Sequence, residues 1–154
     1  MRRTTRHFFL STSLLLSLTF ILAPVSAQDE PANGPAYRDY KGVQIGMSTE
    51  EARRKLGDPQ EKGEQQDFYV FSEKETAQVF YDDAKKVMAV AVIYVGKDSG
   101  APECRKVLGA DIEAKPDGSM HQLTRYPKAG YWVSYSRTTG DSPITSVTMQ
   151  KLKP

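Results

Sequence analysis

The chain has little of the chemistry on which most enzymes and metalloproteins depend. It contains one cysteine, Cys104, and two histidines, of which His121 is the one that follows the N-terminal segment. The sequence has no Gly-x-Ser-x-Gly elbow, no phosphate-binding glycine loop and no cluster with metal-ligand spacing. A catalytic triad would have to combine His121 with Cys104 or with a serine. The sequence therefore predicts a protein that is not an enzyme and holds no metal or cofactor, with catalysis by His121 left as a third interpretation.

Charge of one sign is also missing once the N-terminus is set aside. Residues 1–27 have the pattern of a signal peptide, with Arg2, Arg3 and Arg6 before an apolar segment and a small-residue cleavage site at Ala27. Those three residues belong to the 21 basic residues of the chain, which leaves 18 basic against 19 acidic side chains. A nearly neutral chain of this kind does not favour binding to nucleic acid.

The predicted signal peptide indicates a periplasmic or secreted protein. Its apolar segment is shorter than the ~20 residues that a membrane-spanning helix needs, although an uncleaved membrane anchor remains an alternative. No cysteine lies near the predicted cleavage site, which excludes a lipid anchor there. We therefore expect no lipid anchor, and no transmembrane helix after processing.

Residues 46–59 predict a short helix with well-defined ends. Ser48 is a good N-cap, and Glu51 completes a capping box three residues later. Gly57 supplies a residue that tolerates positive φ, and Pro59 prevents the helix from resuming.

The rest of the chain divides into segments around this helix. Residues 28–39 are rich in proline and polar residues and predict a flexible leader. Residues 40–97 and 98–154 then predict two units, each with a helix followed by three strands. The predicted helices are 48–56 and 101–108, and the predicted strands are 68–71, 77–81, 87–95, 121–126, 131–137 and 144–152. Residues 61–67 are predicted to form a polar loop. The fold class expected is α+β, an antiparallel sheet backed by short helices.

Two pairs of segments indicate an internal repeat. Residues 51–57 (EARRKLG) match residues 103–109 (ECRKVLG), and 79–81 (VFY) match 133–135 (VSY). The first match aligns Cys104 with Ala52, a predicted core position. This favours a small buried residue at Cys104 over a reactive thiol or a link between chains.

The motif at residues 46–59 resembles a known family signature. Its Gly-Met-Ser, Ala52 and Leu-Gly-x-Pro positions are similar to the Gly-Met-Thr…Val…Leu-Gly-x-Pro pattern of the BamE lipoproteins, which belong to the β-barrel assembly machinery. Those proteins are similar in plan to half of β-lactamase inhibitory protein (BLIP), a tandem of two units with a concave binding sheet. The resemblance covers about residues 40–95 and reaches 101–152 through the repeat. It implies a BamE/BLIP-like fold, and we transfer no functional residues from either family.

Aromatic residues are the positive signal for binding. Ten of the twelve aromatic residues after residue 27 lie in predicted strands. Strand alternation places Val79 and Val133 on one face and Phe80 and Trp132 on the other. If the helices cover the first face, Phe80 and Trp132 become contact anchors for a protein partner; if both faces are buried, they are core residues. The function expected is a non-catalytic protein-binding module, and the alternative is a carrier that holds a small apolar ligand between sheet and helices.

Overall fold

The protein is an α+β structure built on one sheet. A computed structural model describes residues 34–153, so the predicted signal peptide, residues 28–33 and Pro154 lie outside the described residues. In the described chain, seven strands form the sheet and two short helices pack against one of its faces. The elements are α1 (Thr49–Leu56), β1 (Glu61–Lys62), β2 (Gln66–Ser72), β3 (Glu75–Tyr81), β4 (Val87–Val95), α2 (Cys104–Leu108), β5 (Met120–Tyr126), β6 (Tyr131–Arg137) and β7 (Ile144–Lys151).

Every neighbouring pair of strands is antiparallel, and the order across the sheet is β1-β2-β3-β4-β7-β6-β5. The pairing of β4 with β7 therefore joins the N-terminal strands to the C-terminal strands. The apolar composition of β4 on both faces predicts a central strand or one covered on both sides, and β4 is central, between β3 and β7. Neither helix within residues 34–153 has the length and apolar character that crossing a membrane would need.

Helix α1 has the ends that its sequence predicts. The Ser48 hydroxyl accepts from the Glu51 N–H at 3.2 Å, and the Ser48 N–H donates to Glu51 Oε2 at 2.9 Å. The hydrogen bond that the Ser48 N–H donates to the Glu51 carboxylate lowers the pKa of Glu51. Gly57 follows the helix with φ of +84°, a value that L side chains rarely adopt. The capping box and the glycine stop are confirmed.

Replacing Ser48 by alanine is expected to destabilise the protein by about 1 kcal/mol, because the Glu51 N–H then loses its acceptor. Chemical denaturation monitored by circular dichroism measures this difference. Ser48→Asp keeps a cap acceptor and is the control, since it should retain the stability of the natural chain. An equal loss in both variants would contradict a capping role.

Two local predictions need correction. Helix α2 is five residues long and begins at Cys104, not at residue 101, with Glu103 as its N-cap in extended backbone. Pro102 disfavours helical backbone at Ala101, the residue before it. The segment predicted as a polar loop, residues 61–67, contains β1 and the start of β2. The alternation of β2 begins earlier than its aromatic residues do, because Asp67 occupies a buried position of the strand.

The core lies between the helices and one face of the sheet. The side chains of Ala52 in α1 and of Val107 in α2 are fully buried there. The largest fully buried side chains come from the strands, and they are Tyr69, Tyr126, Tyr135 and Met149. Burying large side chains of this kind supplies most of the stabilisation available to a chain with such short helices.

Part of the predicted leader also packs on the helix side. Pro35 is buried, and Tyr37 packs against the core cluster. The Tyr131 hydroxyl donates to the Tyr37 carbonyl oxygen at 3.2 Å. Residues 34–39 are thus held by contacts that the proline-rich composition of this stretch did not reveal.

Candidate functional site

No helix of residues 34–153 covers the opposite face of the sheet, which we call the open face. Strand register places both predicted anchors, Phe80 and Trp132, on this face. Phe80 pairs with Ala89, Ala89 with Gln150, and Gln150 with Trp132, so the four residues form one row across β3, β4, β7 and β6. Three strand spacings separate the two aromatic residues, a distance of about 14 Å.

Small side chains fill the middle of the open face between the aromatic margins. In the next row, Phe68 on β2 and Leu123 on β5 are the large residues. Between them lie Gln78, Ala91, Thr148 and Ser134. The open face is therefore bordered by large apolar side chains, and the side chains at its centre are smaller and mostly polar.

The most exposed apolar residues lie at the other end of the open face. Four β-branched side chains are exposed by 37–48%, and they are Val70, Ile93, Val95 and Ile144. Val95 pairs with Ile144, and Ile93 lies two residues from Val95 on the same face. Phe80 and Trp132 are half-buried and therefore less exposed than these four side chains. The open face thus carries a second apolar group that the sequence did not single out as a site.

Phe80 also lines a cleft at its own end of the sheet. The cleft has a volume of about 770 Å³ and is bordered by Phe80, Met88 and the acidic side chains of Glu64, Asp82 and Asp83. Asp82 and Asp83 belong to the turn between β3 and β4. Lys151 lies 3.6 Å from Asp82 and offsets part of its charge.

A buried ionic network occupies the helix side. Asp67 is fully buried and accepts from Arg53 Nε and Nη2, both at 2.8 Å, and from the Tyr81 hydroxyl at 2.7 Å. Burial by itself raises the pKa of Asp67, but the hydrogen bonds from Arg53, Tyr81 and the Gly63 N–H outweigh burial and hold the pKa below its usual value. Arg53 also donates to the Gly63 carbonyl oxygen at 3.0 Å. The network therefore ties α1 and the loop before β2 to the sheet.

A second polar contact fixes the segment that leads into α1. The Tyr40 hydroxyl donates to Glu75 Oε1 at 2.8 Å, and Lys41 lies 3.3 Å from the same oxygen. Burial, followed by this hydrogen bond, raises the pKa of Tyr40. Burial raises the pKa of the neighbouring Tyr94 to about 12. These tyrosines stay protonated at neutral pH and act as structural hydrogen-bond donors or packing groups.

The groups that could have formed a nucleophilic site lie apart. His121 is exposed on β5, where it pairs with Ser136 on the open face. Cys104 is buried in α2 on the helix side, with its Sγ 3.9 Å from Asp111 Oδ1. The sheet separates the two side chains. Within residues 34–153, no group of three or more His, Cys, Asp or Glu residues is arranged to hold a metal ion.

Comparison of the chain with models of protein families, with curated proteins and with solved structures found no match. The fold class, a seven-stranded antiparallel sheet with two helices on one face, therefore rests on the register and packing of the described residues.

The strand pattern of the sequence indicated Phe80 and Trp132 as contact anchors. It did not indicate the apolar end of the open face or the Asp67 network. The signal for the first was present in β4, where Ile93 and Val95 continue the apolar run on the face that bears Ala89 and Ala91. The signal for the second was the period of two between Asp67 and Tyr69, which places both residues on the buried face.

Proposed function

We propose that the chain is an exported, non-catalytic protein-binding module of the cell envelope or secreted space, and that it binds its partner through the open face. The observation that carries the proposal is the row in which Phe80 and Trp132 stand about 14 Å apart with Ala89 and Gln150 between them. Large aromatic side chains are frequent anchors at protein interfaces. Export is supported by the signal-peptide pattern of residues 1–27.

The exposed apolar end of the open face supports the same proposal. Ile93, Val95 and Ile144 expose apolar surface on neighbouring strands, and such groups mark interaction sites more often than isolated exposed residues do. The partner would contact aromatic margins at one end and β-branched side chains at the other, with the small polar centre between them. A protein surface offers the varied chemistry that such a face requires.

Packing favours a binding face over a carrier of a small apolar ligand. A carrier would hold its ligand between sheet and helices, where buried side chains from both helices and from strands β2 to β7 pack into one cluster. Tyr69, Tyr126 and Met149 are the bulky members at its centre. A ligand would have to displace these side chains to enter.

We further propose that the two halves are duplicated α-β-β-β units, in a BamE/BLIP-like arrangement. The strand order supports this proposal. Strands β2, β3 and β4 follow one another toward the centre of the sheet from one side, and β5, β6 and β7 do so from the other, so that β4 and β7 meet at the centre. The aligned residues Ala52 and Cys104 are both buried, and so are Tyr81 and Tyr135. A binding sheet face is also what the resemblance to those families implies.

Affinity capture from an envelope extract of the native host tests the binding role. Mature residues 28–154 serve as bait beside a Phe80→Ala/Trp132→Ala double variant. We expect a protein that the natural chain retains and the double variant loses, since truncating central aromatic anchors commonly costs ~2 kcal/mol or more each. Purified partner and bait then give the dissociation constants by calorimetry.

The matched control is Arg54→Ala/Lys106→Ala, which changes two exposed residues on the helices, on the opposite side of the molecule. It should bind as the natural chain does, and thermal melts should show all three baits folded. Equal capture by the aromatic variant and the natural chain would exclude Phe80 and Trp132 as anchors. Absence of specific capture by any bait would contradict the binding proposal.

A further inference from the structure

Strand β5 forms an edge of the sheet. Within residues 34–153 it pairs with β6 on one side, and no described strand pairs with its other side. Alternate residues of an antiparallel strand direct their N–H and C=O groups away from the neighbour, so an edge strand presents a row of unpaired groups. β5 is seven residues long, from Met120 to Tyr126, and the Tyr126 carbonyl oxygen accepts from the Ala129 and Gly130 N–H groups of the following turn. Alternation from Tyr126 therefore directs the backbone groups of His121, Leu123 and Arg125 away from β6. This edge is a template for one more strand.

The two edges of the sheet differ in how well they resist pairing. The opposite edge is β1, which has only the two charged residues Glu61 and Lys62, and β2 behind it is irregular between Val70 and Ser72. Short, charged and irregular edges discourage strand addition. β5 keeps an unbroken register with β6, contains no proline, and has Arg125 as its single residue of the Asp, Glu, Lys or Arg type. β5 is therefore the edge suited to pairing.

We propose that β5 pairs antiparallel with β5 of a second copy of this chain, around a two-fold axis at Leu123. The strand is self-complementary in this register. Leu123 faces its own copy, Arg125 faces His121, and Gln122 faces Thr124. No two lysine or arginine side chains face each other, and moving the axis along the strand shortens the paired length. Two-fold pairing of one surface with itself is the commonest form of homodimer contact.

The proposed dimer extends the open face across both copies. Leu123 lies on that face, and Arg125 pairs with Trp132 of β6, so both copies of Trp132 stand beside the joint. A contact made mainly by one strand from each chain is small, and the dimer is therefore weak and concentration-dependent. This inference does not depend on the proposed partner protein.

Site-specific crosslinking tests the register. In the proposed pairing the Cα atoms of residue 123 in the two copies lie about 4.5–5.5 Å apart, which a disulfide can bridge. Residue 125 of one copy lies about 14 Å from residue 125 of the other, which a disulfide cannot bridge. Under mild oxidation, Leu123→Cys should give a covalent dimer on non-reducing electrophoresis, and Arg125→Cys should not. The natural chain measures any background from Cys104.

Sedimentation velocity over a concentration series tests the edge itself. The natural chain should shift toward dimer mass as concentration rises, and Leu123→Lys should lose this shift because it places two lysines opposite each other. Ile93→Lys is the control, since it adds the same charge to the same face on central strand β4. A natural chain that stays monomeric at millimolar concentration would overturn the proposal. So would equal crosslinking of the two cysteine variants, or loss of dimer in Ile93→Lys alone.

Discussion

Replacing Asp67 by alanine is expected to destabilise the folded protein by about 3–5 kcal/mol, the cost of removing one partner of a buried ion pair. Asp67 is fully buried and accepts hydrogen bonds from Arg53 and Tyr81. Alanine would leave the guanidinium group of Arg53, whose side chain is 24% exposed, without its carboxylate partner and with only the Gly63 carbonyl oxygen as an acceptor. Urea denaturation should show a lower midpoint with little change in slope.

Asp98→Ala is the matched control for this substitution. Asp98 Oδ2 lies 2.6 Å from Lys74 Nζ, so the ion pair is at least as short as that of Asp67, but both side chains are largely exposed. Exposed pairs contribute little because water screens them. We expect Asp98→Ala to leave the midpoint unchanged. Equal effects of the two substitutions would show that burial does not make the Asp67 pair important.

The pH dependence of stability gives an independent test of the same network. The pKa of Asp67 is lowered in the folded state, so its carboxylate stabilises the fold above the unfolded pKa of about 3.9 and loses this effect as pH falls through the folded pKa. Asp67→Asn removes this titration. We expect its stability to fall less steeply than that of the natural chain between about pH 4 and pH 2. Parallel profiles would mean that other carboxyl groups control acid unfolding.

Replacing Met149 by alanine is expected to cost about 2–5 kcal/mol. Met149 is fully buried on β7, where it pairs with Val90 of β4 at the junction of the two halves of the sheet and with Val133 of β6. The substitution opens a cavity beneath the centre of the sheet, which the surrounding strands cannot close. Denaturation of the variant measures the loss.

Gln150→Ala is the control for Met149→Ala, because Gln150 is the next residue on the same strand and points to the open face. We expect it to change stability by no more than about 0.5 kcal/mol. The shared core also predicts a single unfolding transition in both variants, with fluorescence and circular dichroism coinciding. Separate transitions for the two halves would show that β4 and β7 do not couple them.

The sequence by itself determined the local structure of this protein. Helix α1 follows from Ser48, Glu51 and Gly57, since caps and glycine stops act within a few residues. The observed β4 and β6 have the bounds that strand-forming residues between turn residues predict, 87–95 and 131–137. Alternation also separated Phe80 from Val79 and Trp132 from Val133, because successive side chains of a strand always point to opposite faces.

Only the tertiary structure decided how these faces are used. The pairing of β4 with β7 brings Phe80 and Trp132 into one row, and the placement of both helices on the other face leaves that row open. Asp67 became a buried anion because Arg53, fourteen residues earlier, reaches it from α1. The unpaired edge of β5 likewise follows from the strand order. Each of these features depends on contacts between distant segments, and local sequence patterns do not encode which segments meet.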